Sequence, residues 1–308
     1  MYNIIMDIKF EKLDNELIYK DFIKYYGTAP KVSDTVDICE SDNKVVMLKF
    51  KIFQDMEFIR QGFSTRIGGV SSGIYSTMNL TYGRDDEPCN VRRNFDRIGE
   101  ALGISPERMV YSKQTHTCNI LKADESHCGM GVTRAAEYDN IDALVTDRRD
   151  ICLVTAYADC IPVILADPVK RVIAAAHAGW RGTVGNIAKS VVEVMCRDYG
   201  SCACDIKAFV GPGICVDCYE VSSDVAEEFK AAYSDGELGL ILEAKQESGK
   251  YKLNLPMANV INLQNAGISM KNINVADICT CCNPKLLFSH RATKGQRGIM
   301  CNFISIQG

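Results

Sequence analysis

Hydrophobic positions along the chain follow two periods. Short continuous apolar runs fill 151–157, 163–165 and 172–176, each bounded by charged or turn residues. Runs of that length suit strands buried on both faces. Val46-Met47-Leu48-Lys49-Phe50-Lys51-Ile52-Phe53 ends in alternation and predicts a strand over 46–53. Elsewhere the spacing is helical. Val91, Phe95, Ile98 and Leu102 follow Pro88 and stop at Gly103, which predicts an amphipathic helix over 88–102. Val184, Ile187, Ala188, Val191, Val194 and Met195 predict another over 184–195. A third is expected near 223–233, where Asp224 and Glu227 suit the positive N-terminal end. A fourth runs over 256–267, with Pro and Gly at their favoured ends. The polar stretch 234–250 reads as an inserted loop. Strands and helices interleave, so the expectation is an α/β or α+β domain. Residues 1–45 are weakly periodic and read as an N-terminal elaboration on one domain spanning 46–308.

Composition narrows the function. The 308 residues are 47% hydrophobic and 24% charged, enough for a sizeable core. Thirty-five basic against 39 acidic residues give a net charge of −4. Such a surface is not built to coat nucleic acid or an anionic membrane, which leaves a small substrate or a protein partner. Asp7 and Lys9 interrupt the N-terminus before an apolar stretch forms, so no secretory signal is expected. No run approaches the ~20 apolar residues of a membrane span. Fifteen cysteines then read as the reduced thiols of a cytoplasmic protein, most of them small buried hydrophobes and some candidate metal ligands.

The chain has four histidines: His116, His127, His177 and His290. His177 lies in Ala176-His177-Ala178-Gly179-Trp180-Arg181-Gly182-Thr183, where an apolar strand reaches a glycine-flanked turn and a helix begins. Thr183 is the expected N-cap, and the free amides there, with Arg181, suit an anion. Cys160 lies in Ala158-Asp159-Cys160-Ile161-Pro162, again at a strand end. His116 closes Val110-Tyr111-Ser112-Lys113-Gln114-Thr115-His116. Taken singly, each reads as a structural or loop residue. Together, two imidazoles and a thiolate suit zinc with one coordination position left open, although no HExxH-type spacing ties them together. Asp159 is the first nearby carboxylate to orient a ligand or move a proton. Arg66 sits in a Gly- and Ser-rich loop, Gly62 to Gly73, of the kind that approaches ligands. There is no GxGxxG and no GKS or GKT to support a dinucleotide or nucleoside triphosphate site. His290, Arg291, Lys294 and Arg297 form a basic loop that reads as a solvated turn or an anion contact. Cys215-x-x-Cys218 and Cys279-Thr280-Cys281-Cys282 read as a CxxC pair with a CxC or CC partner. They lack paired-knuckle spacing, so ordinary thiols are set ahead of a structural zinc site.

Several segments in order resemble the YfiH-like family, also called the laccase-domain or Cu-oxidase-4-type family. They are Phe63-Ser64-Thr65-Arg66, Gly68-Gly69-Val70-Ser71, Met78-Asn79-Leu80, Gln114-Thr115-His116, Ala158-Asp159-Cys160-Ile161-Pro162, His177-Ala178-Gly179-Trp180-Arg181-Gly182, Gly211-Pro212-Gly213-Ile214, Cys218-Tyr219-Glu220-Val221, Cys279-Thr280 and Phe288-Ser289-His290-Arg291. The resemblance covers roughly 45–305. It implies a layered α+β fold, α/β/β/α with mixed sheets, similar to toxin-type cysteine hydrolase (CNF-like) domains. It implies His116, Cys160 and His177 as ligands of one zinc, with copper the lesser choice. It implies phosphorolysis of purine nucleosides (adenosine, inosine, guanosine, methylthioadenosine) by inorganic phosphate, with adenosine deaminase activity beside it. On motif position, Arg66 and Asp159 are expected to be catalytic, and Asn79, Gln114, Arg181 and Arg291 to bind substrate. Thr117, Cys215 and Gly295-Gln296-Arg297 depart from the family pattern.

Three rival readings remain. A cysteine hydrolase would use Cys160 as nucleophile and His177 as base. A copper polyphenol oxidase would need more than four histidines for a multicopper cluster. A non-catalytic protein would close the metal's fourth position.

Overall fold

The apolar runs form strands, and their alternation assigns each sheet face. The computed structural model describes residues 11–12, 35–244 and 249–307. Its larger sheet has seven strands in the order Glu11–Lys12, Val36–Glu40, Val46–Phe50, Ile59–Ser64, Met300–Ile306, Cys152–Tyr157 and Met109–Tyr111. Neighbours are antiparallel except the last pair. A six-stranded sheet orders Ile273–Val275, Lys207–Val210, Ile161–Asp167, Val172–Ala178, Ala143–Thr146 and Ile120–Lys122, with parallel pairs at both edges. A small antiparallel sheet joins Glu220–Val221, Tyr251–Leu253 and Leu242–Ala244.

The core lies in three layers. Leu48, Phe50, Phe63, Leu153 and Ile304 from the larger sheet meet Leu144, Ile164, Ile173, Ala175 and Phe209 from the other. Phe50 stacks on Phe209 across that gap, ring centroids 4.2 Å apart. The outer face of the larger sheet buries Val91, Phe95, Ile98 and Leu102 of the helix Pro88–Leu102. The outer face of the second sheet buries the helices Ile187–Tyr199 and Leu255–Asn265. The order is helix, sheet, sheet, helix, a mixed α+β arrangement.

Local signals account for most boundaries. Pro88 starts its helix and Gly103, at φ 65°, ends it. The strand expected over 46–53 stops at Phe50, because a 3-10 turn over Lys51–Phe53 tucks Phe53 under the inter-sheet layer. The helix expected over 184–195 is two helices, Trp180–Val184 and Ile187–Tyr199, separated by Asn186 at φ 65°. Thr183 is not an N-cap: Gly179 occupies that position, and the Thr183 hydroxyl bonds the Gly179 carbonyl at 3.0 Å. The helix expected near 223–233 is Ser223–Ala232. The stretch expected as an inserted loop holds the helix Asp235–Ile241, begun by a Ser234–Glu237 capping box, and the strand Leu242–Ala244. Residues 36–40, expected within the N-terminal elaboration, pair along Val46–Phe50. Apart from 11–12 and 35–45, that elaboration lies outside the described residues. Among the described residues no helix is long and apolar enough to cross a membrane.

Candidate metal centre and its cavity

The hairpin of Ile161–Asp167 and Val172–Ala178 builds most of the site. Its register sets His177 opposite Pro162 and Ala178 opposite Ile161. Cys160 precedes the first strand, so it lies beside the end of the second. Side chains alternate along a strand, which puts His177 on the face of Ile173 and Ala175, toward the other sheet. His116 comes from the loop between Met109–Tyr111 and Ile120–Lys122, with φ at 63°. The two imidazole centroids are 4.9 Å apart. One ligand atom from each of His116, Cys160 and His177 falls within 4.8 Å of the others.

Asp142 holds this arrangement, and the sequence reading missed it. Its carboxylate is fully buried and accepts four bonds from the 115–117 loop: the Thr115 amide at 3.1 Å, the His116 amide at 3.0 Å, and the Thr117 amide and hydroxyl at 2.8 Å each. It also bonds His177 Nδ1 at 2.9 Å, which leaves Nε2 for a ligand. Burial pushes the Asp142 carboxyl up, but the bonds from His177, Thr117 and Thr115 outweigh it and bring the group to about 2. Burial pushes His177 down, yet the Cys160 sulfur and the Asp142 carboxylate raise it to about 9. Burial, then the charge of His177, lowers His116. A carboxylate at the mouth of the apolar strand Ala143–Thr146 was the available signal.

The donor set fits a zinc ion. Two imidazoles and a thiolate converge from three chain segments, and an Asp fixes one tautomer as metal-ligating histidines require. The backbone is shaped to leave them room. A Cβ added at Gly179 would stand 2.9 Å from His116 Nδ1, closer than real Cβ contacts come, and a tight 3.1 Å from Cys160 Sγ, so the two side chains would have to shift.

These three side chains open on a cavity of about 560 Å³, walled also by Tyr82, Tyr111, Lys113, Gln114 and Arg297. Gln114 keeps to the wall by pairing with the backbone of Ala156, donating at 2.8 Å and accepting at 2.6 Å. Arg297 is buried, and its Nε has no hydrogen-bond partner among the described residues. Burial and the charge of Arg84 lower it to about 10. The basic loop at 290–297 was its signal.

The other nominated residues do not line the cavity. Asp159, at φ 92°, accepts from the Thr280 hydroxyl at 2.6 Å and the Arg291 amide at 2.7 Å. Arg66 donates to the carbonyls of Ser76 and Pro284 and lies 4.6 Å over the Phe288 ring. Asn79 is buried between Asp86, at 2.8 Å, and the Ile299 amide, at 2.9 Å. Arg291 is exposed and donates to the carbonyls of Cys218 and Glu220. Arg181 is exposed over Trp180, 4.2 Å from its ring.

A His2Cys centre, held by a buried carboxylate at the open end of two packed sheets, defines a mixed α+β protein with a candidate metal-dependent site. Residues 60–307 match the family described as multi-copper polyphenol oxidoreductase laccase, and the chain belongs to this YfiH-like family. Purine nucleoside phosphorylase YlmD of Bacillus subtilis (strain 168) is 31% identical over 258 residues, covering 82% of this chain and 91% of that protein. Adenosine deaminase RL5, from an unknown prokaryotic organism, is 36% identical over 233 residues, covering 75% and 88%. The crystal structure of the Bacillus licheniformis hypothetical protein YfiH superposes with a TM-score of 0.80 at 32% identity, covering 85% of this chain and 96% of that one.

Proposed function

We propose that this chain is a zinc-dependent purine nucleoside phosphorylase, acting on adenosine, inosine, guanosine and methylthioadenosine, with adenosine deamination as a second activity. The observation that carries the reading is the juxtaposition of His116, Cys160 and His177 with buried, incompletely bonded Arg297 around one cavity. The names of the relatives supply the reaction class. Zinc held by the three side chains supplies Lewis acidity at the cavity wall.

The chain's own groups do the rest. Arg297 anchors the phosphate dianion, and Tyr82 and Tyr111 flank the nucleoside. A phosphate oxygen bonds to C1′ as the bond from C1′ to the purine nitrogen breaks. The electron pair leaves with the base, which takes up a proton, giving free base and ribose 1-phosphate. In deamination water adds at C6 of adenine instead, and ammonia leaves. Gln114 shapes the wall. Asp159, Arg66 and Asn79 act as positioning residues, because their polar atoms are engaged within the protein. Arg181 and Arg291 stand outside the lining as exposed cations.

The test is adenosine with and without phosphate, for the parent chain and for His116→Ala and Cys160→Ala. Adenine released only with phosphate, and lost in both variants, is expected. Release that ignores phosphate, or survives in His116→Ala, overturns the reading.

One observation favours a second reading. Cys160, His177 and Asp142 stand in the order nucleophile, base, orienting carboxylate, as in a cysteine hydrolase. Activity that persists after metal removal and is abolished by iodoacetamide would select it.

A further inference from the structure

A second group of sulfurs lies apart from the cavity lining. Cys215, Cys218, Cys279 and Cys282 place their sulfurs within 4.8 Å of one another. Cys282 Sγ is 3.5 Å from Cys218 Sγ and 3.9 Å from Cys215 Sγ. Zinc–sulfur bonds of ~2.3 Å in a tetrahedron separate sulfurs by about 3.8 Å. A disulfide would need ~2.0 Å, and all four thiols are free. The partner of Cys215-x-x-Cys218 is not the CxC or CC pair expected from the sequence: Cys279 and Cys282 are themselves a C-x-x-C pair, and Cys281 stands outside the group. The amides of Cys215 and Cys282 both point at Cys279 Sγ, at 3.2 and 3.4 Å.

We infer that these four cysteines form a second metal site, a closed tetrathiolate centre for one structural zinc ion. Binding converts four thiols to thiolates and releases their protons to solvent. No coordination position is left for substrate. The ion joins two loops that meet behind the first site. The Thr280 amide bonds the Gly213 carbonyl at 3.0 Å, and the Thr280 hydroxyl bonds Asp159, the residue before Cys160. Arg291 donates to the Cys218 carbonyl at 3.2 Å. The centre therefore clamps the segment that presents Cys160, and it stands independently of the phosphorylase reading.

The experiment counts metal per chain, under reducing conditions, in the parent, in Cys215→Ser/Cys282→Ser and in His116→Ala/Cys160→Ala/His177→Ala. Two zinc ions, one and one are expected. The triple variant, loaded with cobalt(II), is expected to show the intense visible and near-ultraviolet bands of tetrahedral cobalt thiolate. If the phosphorylase reading fails, the triple variant still retains its ion. If the tetrathiolate reading fails, the triple variant holds none. Metal content unchanged by loss of Cys215 and Cys282 overturns the inference, and iron in place of zinc overturns the choice of ion. Should the cysteine pair variant not fold, the triple variant decides alone: one zinc with the cobalt spectrum supports the site, and neither overturns it.

Discussion

Asp142 links a loop and a strand through one carboxylate, so its charge is felt at both. Asp142→Asn keeps the side chain's size but removes the charge that favours the Nδ1–H tautomer of His177. Zinc affinity, measured by chelator competition, is expected to fall by ~10–100-fold, the usual effect of losing such a partner. Gly179→Ala is expected to abolish zinc binding while circular dichroism stays native, because the new Cβ would push on His116 and Cys160. Arg297→Met is expected to raise KM for phosphate by at least ~10-fold, the equivalent of ~1.4 kcal/mol for a lost charge-assisted contact, with zinc content unchanged. A KM for phosphate unmoved by that change would remove Arg297 from the site. Taken singly, the three candidate ligands read as structural or loop residues, and it was the family resemblance, beside the scarcity of histidine, that grouped them. Asp142 was not legible, since an aspartate before an apolar run looks like an ordinary strand end until the fold sets it against His177. Arg297 was half-legible: its loop was marked as basic, but burial decides that it faces a cavity.

Elements hold these residues at distances that a sequence pattern cannot give. The register of Ile161–Asp167 against Val172–Ala178 brings Cys160 and His177 together although 17 positions separate them. A one-residue slip would turn His177 to the opposite face, toward the helices. The stack of Phe50 on Phe209 holds the two sheets at the spacing this needs. Phe209→Ala is expected to destabilise the fold by ~3–5 kcal/mol, read from denaturant midpoints, as for other buried aromatic truncations. The helix Pro88–Leu102 matched its apolar spacing because Pro, the buried stripe and Gly all agree. The break at Asn186 escaped because the stripe from Val184 to Met195 continues across it, while the backbone turns left-handed. The helix Asp235–Ile241 escaped because it buries little of itself, and only its Ser–Glu capping box announced it.

At the scale of the molecule, bound metal adds to stability in proportion to its saturation. At free zinc about 100 times Kd, one site contributes about 2.7 kcal/mol. Chelation is therefore expected to lower Tm by several degrees, with recovery on adding zinc back. A Tm indifferent to chelator would mean that no ion is bound in the native state. The mixed class was legible from interleaved strands and helices, but the order of strands within each sheet was not, because non-local pairing leaves no periodic trace. Met300–Ile306 shows the difference. It is central in the larger sheet, between Ile59–Ser64 and Cys152–Tyr157, which do not touch each other through hydrogen bonds. Both strands are synthesised well before Met300–Ile306, and the gap between them is filled only once that strand has followed. During that interval a nascent chain displays two unpaired apolar edges, the kind of surface that chaperones recognise.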